Sequence, residues 1–535
     1  MRTTSHSLHR TTKAAPTGLG AQLAGSASLD DVWMASSLPW DPTDASPPPP
    51  LPPPLRPRVA ALVELRRALE LSALRDDFHA LCTQHGVAPP MNAFERWRFH
   101  SKWEEEATKS SDEPLLPLLP PAEGSAADDG LLADLRRAGV GEPAARQLLR
   151  AVRASSLQRA ARLARFCAAQ RAAGGVALRV RLSAADDGTA RLALGGAGTR
   201  GALDDAEARR LLSQLSLTPP YMQKLRELYA RHAPRRAAAA AAAERRFRLR
   251  LLALLLRYHA IGGLGFQAAL GGAPFAALQR GLRVNFECFA SPLNCYFGAY
   301  CSAFPDVDAP FGSRGTFRAF RPRRGSYEVN PPFVDGIIDE MATQLLSLLA
   351  TAQEAGEPLT FVVVLPGWLD SRGYAALDGS RFLRSKLIVA ASDHGFVDGG
   401  QHARARSFRE SPYDTALFCL QSDGAAAEGP VGECMESVRV ALARCTPTAA
   451  DLARLDARES VRGRSRRVPR PRRVASRRDV PAAADAATRP QEEQASLAEE
   501  GTRAEGGLGG FLSRSAPYEH GRNTDGWPQA GEMCE

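Results

Sequence analysis

Asn330-Pro331-Pro332-Phe333 is the stretch of this chain whose residue types could do chemistry together. An aromatic amine is a poor nucleophile because its lone pair is delocalised into the ring, so it must be held by acceptors that draw electron density toward the nitrogen. The Asn330 side-chain oxygen and the Pro331 carbonyl can accept its two N–H bonds. Pro331 and Pro332 stiffen the loop so that these acceptors are preorganised, and Phe333 offers a face to an unstacked base. The chemistry is transfer of a methyl group to an exocyclic amino nitrogen, and it asks for no metal or redox group. As a bare tetrapeptide, the same residues also make an ordinary strand-ending turn.

Methyl transfer needs a second site for the methyl donor. Phe286-Glu287-Cys288-Phe289-Ala290-Ser291-Pro292-Leu293-Asn294 reads as the first strand-to-helix turn, a usual place for a nucleotide-like ligand, although it lacks the Gly-x-Gly of a dinucleotide fingerprint. A third candidate is Met91 to Trp103, a helical pattern that interleaves Phe94, Trp97, Phe99 and Trp103 with Arg96, Arg98, His100 and Lys102. Basic and aromatic residues at that spacing can grip a base and its phosphates, or else the aromatics are core and the bases a solvated face.

The elements that must position these residues follow from periodicity. From residue 261 to 425 the pattern is α/β: strands at Val284–Phe286, Tyr327–Val329, Leu359–Leu365, within Phe382–Ala391 and at Thr415–Leu420, with helices expected over 289–300 and 333–351. Strands alternating with helices predict a mostly parallel, doubly wound, Rossmann-like sheet that binds ligands at the carboxyl ends of its strands. Residues 56–260 are mainly helical, with a β-hairpin over 176–194 that turns at Asp186-Asp187-Gly188, and with an interruption at Pro219-Pro220. Residues 1–55, ending in a proline run, and 426–535, poor in large apolar residues, are expected to be disordered.

The net charge is +9 over 535 residues, which suits a polyanionic partner, and nine arginines fall between Arg462 and Arg478. That tract reads as a nuclear import or RNA-contact segment, or as a solvated run. The first 29 residues contain no acid until Asp30, so an organellar transit peptide is the alternative to nuclear localisation. No apolar run approaches the ~20 residues of a membrane span. Nine widely spaced cysteines without a secretory leader imply reduced thiols, and the spacing of Cys288, Cys295 and Cys301 does not match a zinc site.

Phe286 to Phe297, Tyr300-Cys-Ser-Ala-Phe-Pro-Asp306, Phe311 to Gly315, Asn330 to Phe333, Phe361 to Trp368, Ser380-Arg381-Phe382, Asp393-His394 and Gln401-His402 occur in an order that resembles a known family. It is the family of cap-specific mRNA (2′-O-methyladenosine-N6) methyltransferases, the phosphorylated CTD-interacting factors. The resemblance covers roughly residues 250 to 422. It implies a class I methyltransferase fold and S-adenosyl-L-methionine-dependent N6-methylation of the adenosine next to the 7-methylguanosine cap, with capped mRNA as partner. By that resemblance Asn330, Pro331, Pro332 and Phe333 bind the target adenine, and Glu287, Phe289, Ala290, Ser291, Asn294 and Asn330 hold the cofactor. Asp335, Trp368, Ser392, Asp393, His394 and Arg96 then lie along the RNA, and the basic helical region helps form the cap pocket.

The chain departs from that family's pattern in places. Asp335 and Asp393 stand where relatives carry Glu, Gly367 replaces a Glu, and Leu369-Asp370-Ser371 replaces an Arg-Glu-Pro-Pro run. No two-tryptophan WW module is recognisable, so binding to the RNA polymerase II C-terminal tail is not expected through one. A catalytically silent cap- or RNA-binding scaffold and an adenine-N6 methyltransferase acting on DNA or internal RNA are the competing readings.

Overall fold

The computed structural model describes residues 40–47 and 57–445, apart from 110–111, 119–124, 173–177, 186–187, 196–205, 234–239, 263–264, 404–407 and 427–429. The acid-free leader, the proline run, Asp186-Asp187 of the hairpin and the arginine tract lie outside these residues.

The first half is helical, as its three- and four-residue apolar spacing requires. α1 (Pro57–Gln84), α2 (Ala93–Thr108), α3 (Ala126–Arg137), α4 (Glu142–Ala172), α5 (Ala206–Gln214), α6 (Pro219–His232) and α7 (Ala240–Ile261) bury Leu71, Leu74, Phe78, Trp97, Leu148, Leu225 and Leu252 in one core. α3 starts where the Ser125 side chain accepts the Asp128 N–H, satisfying one of the donors a first turn leaves free. Pro219-Pro220 opens α6, where a missing N–H costs nothing. The hairpin is present as β1 (Arg179–Ala184) against β2 (Ala190–Gly195), and β3 (Ser216–Leu217) adds a third strand.

The second half is mixed α/β. After α8 (Gly272–Leu282) come β4 (Glu287–Ala290), β5 (Tyr300–Ser302), α9 (Pro305–Asp308), β6 (Gly325–Val329), α10 (Asp335–Ala355), β7 (Leu359–Pro366), α11 (Arg372–Asp378) and β8 (Leu383–Val389). β9 (Gly395–Val397), β10 (Phe408–Glu410), β11 (Thr415–Gln421), α12 (Asp423–Ala426) and α13 (Val431–Cys445) complete the described chain. One six-stranded sheet runs β5-β4-β6-β7-β11-β8. The first four strands are parallel, while β11 is antiparallel to both β7 and β8.

Alternation along each strand distributes the core. Phe361, Val363 and Leu365 of β7 face Ile338, Leu345 and Leu349 of α10, whereas Val362 and Val364 face Leu278, Met435 and Val438 on the other side. The sheet is therefore covered on both faces, which is why β7 reads as an unbroken apolar run. α10 ends at Gly356, whose φ of 70° closes the helix in the left-handed region.

Three expectations are corrected. The helix expected over 289–300 is absent and the first strand begins at Glu287, because the segment's N–H groups go elsewhere. The buried Glu287 carboxylate accepts the Tyr296 and Phe297 N–H groups at 2.8 and 2.9 Å. The leader expected to be disordered through residue 55 contributes a folded stretch, in which Trp40 packs on Phe286 (4.8 Å between centroids) and Ala45 bridges to Pro322. The tail expected to be disordered from 426 contains α13. Its buried Cys434, Met435, Val438 and Leu442 recur at three- and four-residue steps and cover the sheet, a short apolar stripe hidden in a polar, arginine-bearing composition.

Candidate functional site

The sheet topology brings the candidate segments to one edge. β4, β6, β7 and β8 run the same way, so Ser291–Asn294, Asn330–Phe333, Gly367–Trp368 and Ser392–His394 all follow their carboxyl ends. β11 runs the opposite way, and its first residue, Thr415, is paired with both Pro366 and Val389. Tyr413 and Asp414 therefore reach the same edge from the other direction. The Gly367 N–H donates to the Asp414 carbonyl at 2.7 Å and the Asp414 carboxylate accepts the Ala391 N–H at 2.9 Å, tying three of these loops together.

Asn330 follows β6 directly and is half-buried. Its side-chain amide has no hydrogen-bond partner among the described residues, and neither does the Pro331 carbonyl. The Pro332 carbonyl, by contrast, accepts the Val334 N–H at 2.8 Å, and the Val334 carbonyl accepts the Ile337 and Ile338 N–H groups at 3.0 Å as α10 begins. The loop is thus fixed by its downstream half while the two expected acceptors stay free. Phe333 meets Trp368 edge-on at 6.2 Å and Phe396 at 6.4 Å.

The turn after β4 is closed by its own side chains. The Ser291 hydroxyl donates to Asn294 Oδ1 at 2.8 Å and accepts the Leu293 and Asn294 N–H groups, and Asn294 Nδ2 donates to the Gln267 carbonyl at 3.1 Å. Burial pushes the Glu287 carboxyl up to about 7, opposed by its two backbone N–H bonds and by the buried Lys224 ammonium. Lys224 reaches in from α6, donating to the Cys295 carbonyl at 2.7 Å. Glu287 and Lys224 hold the turn from beneath, and Phe289 and Ala290 are half-buried beside it.

Of the remaining predicted residues, Asp335 starts α10, and its carboxyl is raised by desolvation and by the charges of Asp339 and Asp370. Ser392 donates to Asp393 Oδ1 at 2.8 Å. His394 is buried, bonded through Nδ1 to the Ala390 carbonyl and through Nε2 to Thr415 Oγ1, both at 2.7 Å; burial lowers its pKa. That is a bracing role within the edge. Arg96 points to the helical half, pairing with Asp134 at 2.6 Å. On the same helix Phe94 and Trp97 are core, with Trp97 Nε1 donating to Asp128.

Two residues of the basic-aromatic helix that the sequence singles out, unlike Arg96, Phe94 and Trp97, lie beside the site. His100 of α2 lies against Gly336 in the first turn of α10, so closely that an added Cβ would overlap its ring. Trp103, one turn further, stacks near Phe289 at 6.5 Å and under the Arg318 guanidinium at 4.4 Å.

A family model described as the phosphorylated CTD interacting factor 1 WW domain matches residues 224–399. Proteins of Homo sapiens and Mus musculus named mRNA (2'-O-methyladenosine-N(6)-)-methyltransferase are each 38% identical to this chain over 232 residues, 41% of this chain and 32% of theirs. The chain spans about a third of the length of these curated relatives. The expectation that no module of the WW description is recognisable is not borne out, because the matching model carries that description. The matched residues contain one tryptophan, Trp368, and run from α6 to β9, so a search for two tryptophans was a search for the wrong signal.

Proposed function

We propose that the chain is an S-adenosyl-L-methionine-dependent methyltransferase that modifies N6 of a 2′-O-methylated adenosine beside the 7-methylguanosine cap of mRNA. The observation that carries this reading is the pair of unpartnered acceptors, Asn330 Oδ1 and the Pro331 carbonyl, on a loop held at the edge where the sheet's other candidate loops converge. Two acceptors side by side suit the two N–H bonds of an exocyclic amine. The relatives' printed name supplies the substrate class.

The sheet supports a Rossmann-like, class I reading. Its last strand in sequence is inserted antiparallel between two parallel ones, and the motif follows the strand beside the one bearing the cofactor turn. The residues that support a methyl donor are the tight turn after β4, where Phe289 and Ala290 are half-buried, and the Asn330 amide at the end of the neighbouring strand β6. When bound, the cofactor supplies an electrophilic methyl group. Phe289, Ala290 and Asn330 would line it, while Glu287, Ser291 and Asn294 would shape the turn that receives it. Asn330 and Pro331 would orient the amine by accepting its two N–H bonds, one of whose protons leaves to solvent once the nitrogen carries the methyl group, and Phe333 would stack the base and exclude water.

The description of the matching family model supports a further reading, that the chain meets the phosphorylated C-terminal tail of RNA polymerase II. Nuclear localisation is the corresponding proposal. The full chain, incubated with labelled cofactor and RNA beginning with 2′-O-methyladenosine, is expected to label capped RNA well above uncapped RNA. Equal labelling would sink cap specificity. No labelling of RNA or DNA would leave the silent scaffold.

A further inference from the structure

Among the described residues five large hydrophobic side chains are exposed, and two of them flank one tryptophan: Leu369 at 73% and Tyr413 at 45%. Tyr413 meets Trp368 edge-on at 5.5 Å, and Trp368 in turn meets Phe333 of the motif. The apolar surface is therefore continuous from the amine-binding loop outward. It is not exposed through slackness. The Tyr413 carbonyl accepts the Ser411 hydroxyl at 2.6 Å, and the next residue, Asp414, ties β7 to β8 through the bonds described above. A held aromatic ring left half in water suits stacking with a flat partner.

A cation stands nearby. Arg409 of β10 is the cross-strand partner of Phe396 of β9, so the two side chains leave the same face, and Phe396 touches Phe333. Arg409 makes no ion pair among the described residues. An extended aromatic surface with an uncommitted guanidinium beside it matches one nucleotide, base on ring and phosphate toward the cation.

We propose that Tyr413, with Trp368 and Leu369, forms a second base subsite that stacks the nucleobase on the 3′ side of the methylated one, with Arg409 serving its phosphate. This rests on the methyltransferase reading above. The test uses the full chain, Tyr413→Ala and Tyr413→Phe, with capped RNAs that are intact or abasic at the first or the second nucleotide 3′ of the target adenosine. Tyr413→Ala is expected to raise KM for intact RNA about tenfold with kcat little changed, and Tyr413→Phe to restore it. On RNA abasic at the stacked position, the wild-type KM is expected to rise to that of Tyr413→Ala. An unchanged KM in Tyr413→Ala, or a persisting gap between the two proteins on both abasic RNAs, would overturn the subsite. Equilibrium binding of RNA carrying 2-aminopurine at the flanking position separates this from failure of the catalytic reading. Fluorescence quenching that depends on Tyr413 supports the subsite even if no RNA is methylated, and quenching independent of Tyr413 overturns it.

Discussion

Asn330 is useful because none of the described residues uses its side chain. A half-buried amide with no partner contributes little to folding, so removing it should leave stability nearly untouched while removing an acceptor that strengthens as charge develops on the amine. Asn330→Ala is expected to lower kcat about 100-fold or more with an unchanged thermal midpoint. Asn330→Asp keeps an acceptor while losing the side-chain donor and adding a negative charge, so its activity should lie between the two; labelled-cofactor assays on capped RNA read both. If Asn330→Ala turns over normally, the assignment of the motif fails. Gly336 makes the opposite kind of prediction, because its missing side chain is filled by His100. Gly336→Ala should destabilise by about 1–3 kcal/mol through overpacking. Shortening the neighbour with His100→Ala should recover much of that loss in a double-mutant cycle by urea unfolding. Additive effects would show that the two residues do not share space.

At the scale of elements, the central strand beside the one that carries the motif was legible because a strand buried on both faces is a continuous apolar run bounded by glycine and proline, as at Leu359–Pro366. The failures have physical causes of the same scale. Residues 289–300 have helix-compatible types, yet tertiary acceptors, the Glu287 carboxylate above all, claim their N–H groups and leave a turn; single-sequence periodicity cannot register a partner ten residues away. Residues 431–445 fail in the other direction, since four apolar positions suffice to dock a helix once a sheet face awaits them. The site was legible in its motif and in the convergence of strand ends. Tyr413 was not, because it belongs to a loop before the strand that runs against the rest of the six-stranded sheet, whose direction only pairing reveals. α13 is the element to test. Val438 is fully buried between α13 and the sheet. Val438→Asp would therefore place an unpaired charge in an apolar layer and is expected to cost about 3 kcal/mol or more. A change below 1 kcal/mol in urea unfolding would mean that α13 is not docked as described.

Across the whole molecule, the helical half and the sheet are joined by charges taken out of water. Arg257 of α7 is fully buried between Glu64 of α1, at 2.6 Å, and Asp306 of α9, at 2.8 Å. Next to it the Tyr258 hydroxyl donates to Asp308 Oδ2 at 2.6 Å, while the Ser302 hydroxyl lies close and Asp308 Oδ1 has no hydrogen-bond partner within bonding geometry among the described residues. Burial, only partly opposed by that hydrogen bond, pushes the Asp308 carboxyl up to about 8, whereas an unfolded aspartate titrates near 3.9. The folded state therefore binds this proton more tightly than the unfolded state does. The associated stability is full below about pH 3.9 and is lost as pH rises through about 8. Glu287, raised to about 7, slopes the same way. His232, lowered to about 4 by burial and the Arg314 charge, slopes oppositely, but only between its folded value and the unfolded one near 6.5. Above about pH 7 the buried acids act without that opposition. Urea midpoints measured from pH 7 to 8 should fall for the wild type and fall less for Asp308→Asn, which keeps an acceptor for Tyr258 and removes the titration. An equally steep fall in both proteins would mean that Asp308 is already ionised in the fold, held by Arg257 rather than neutralised by burial.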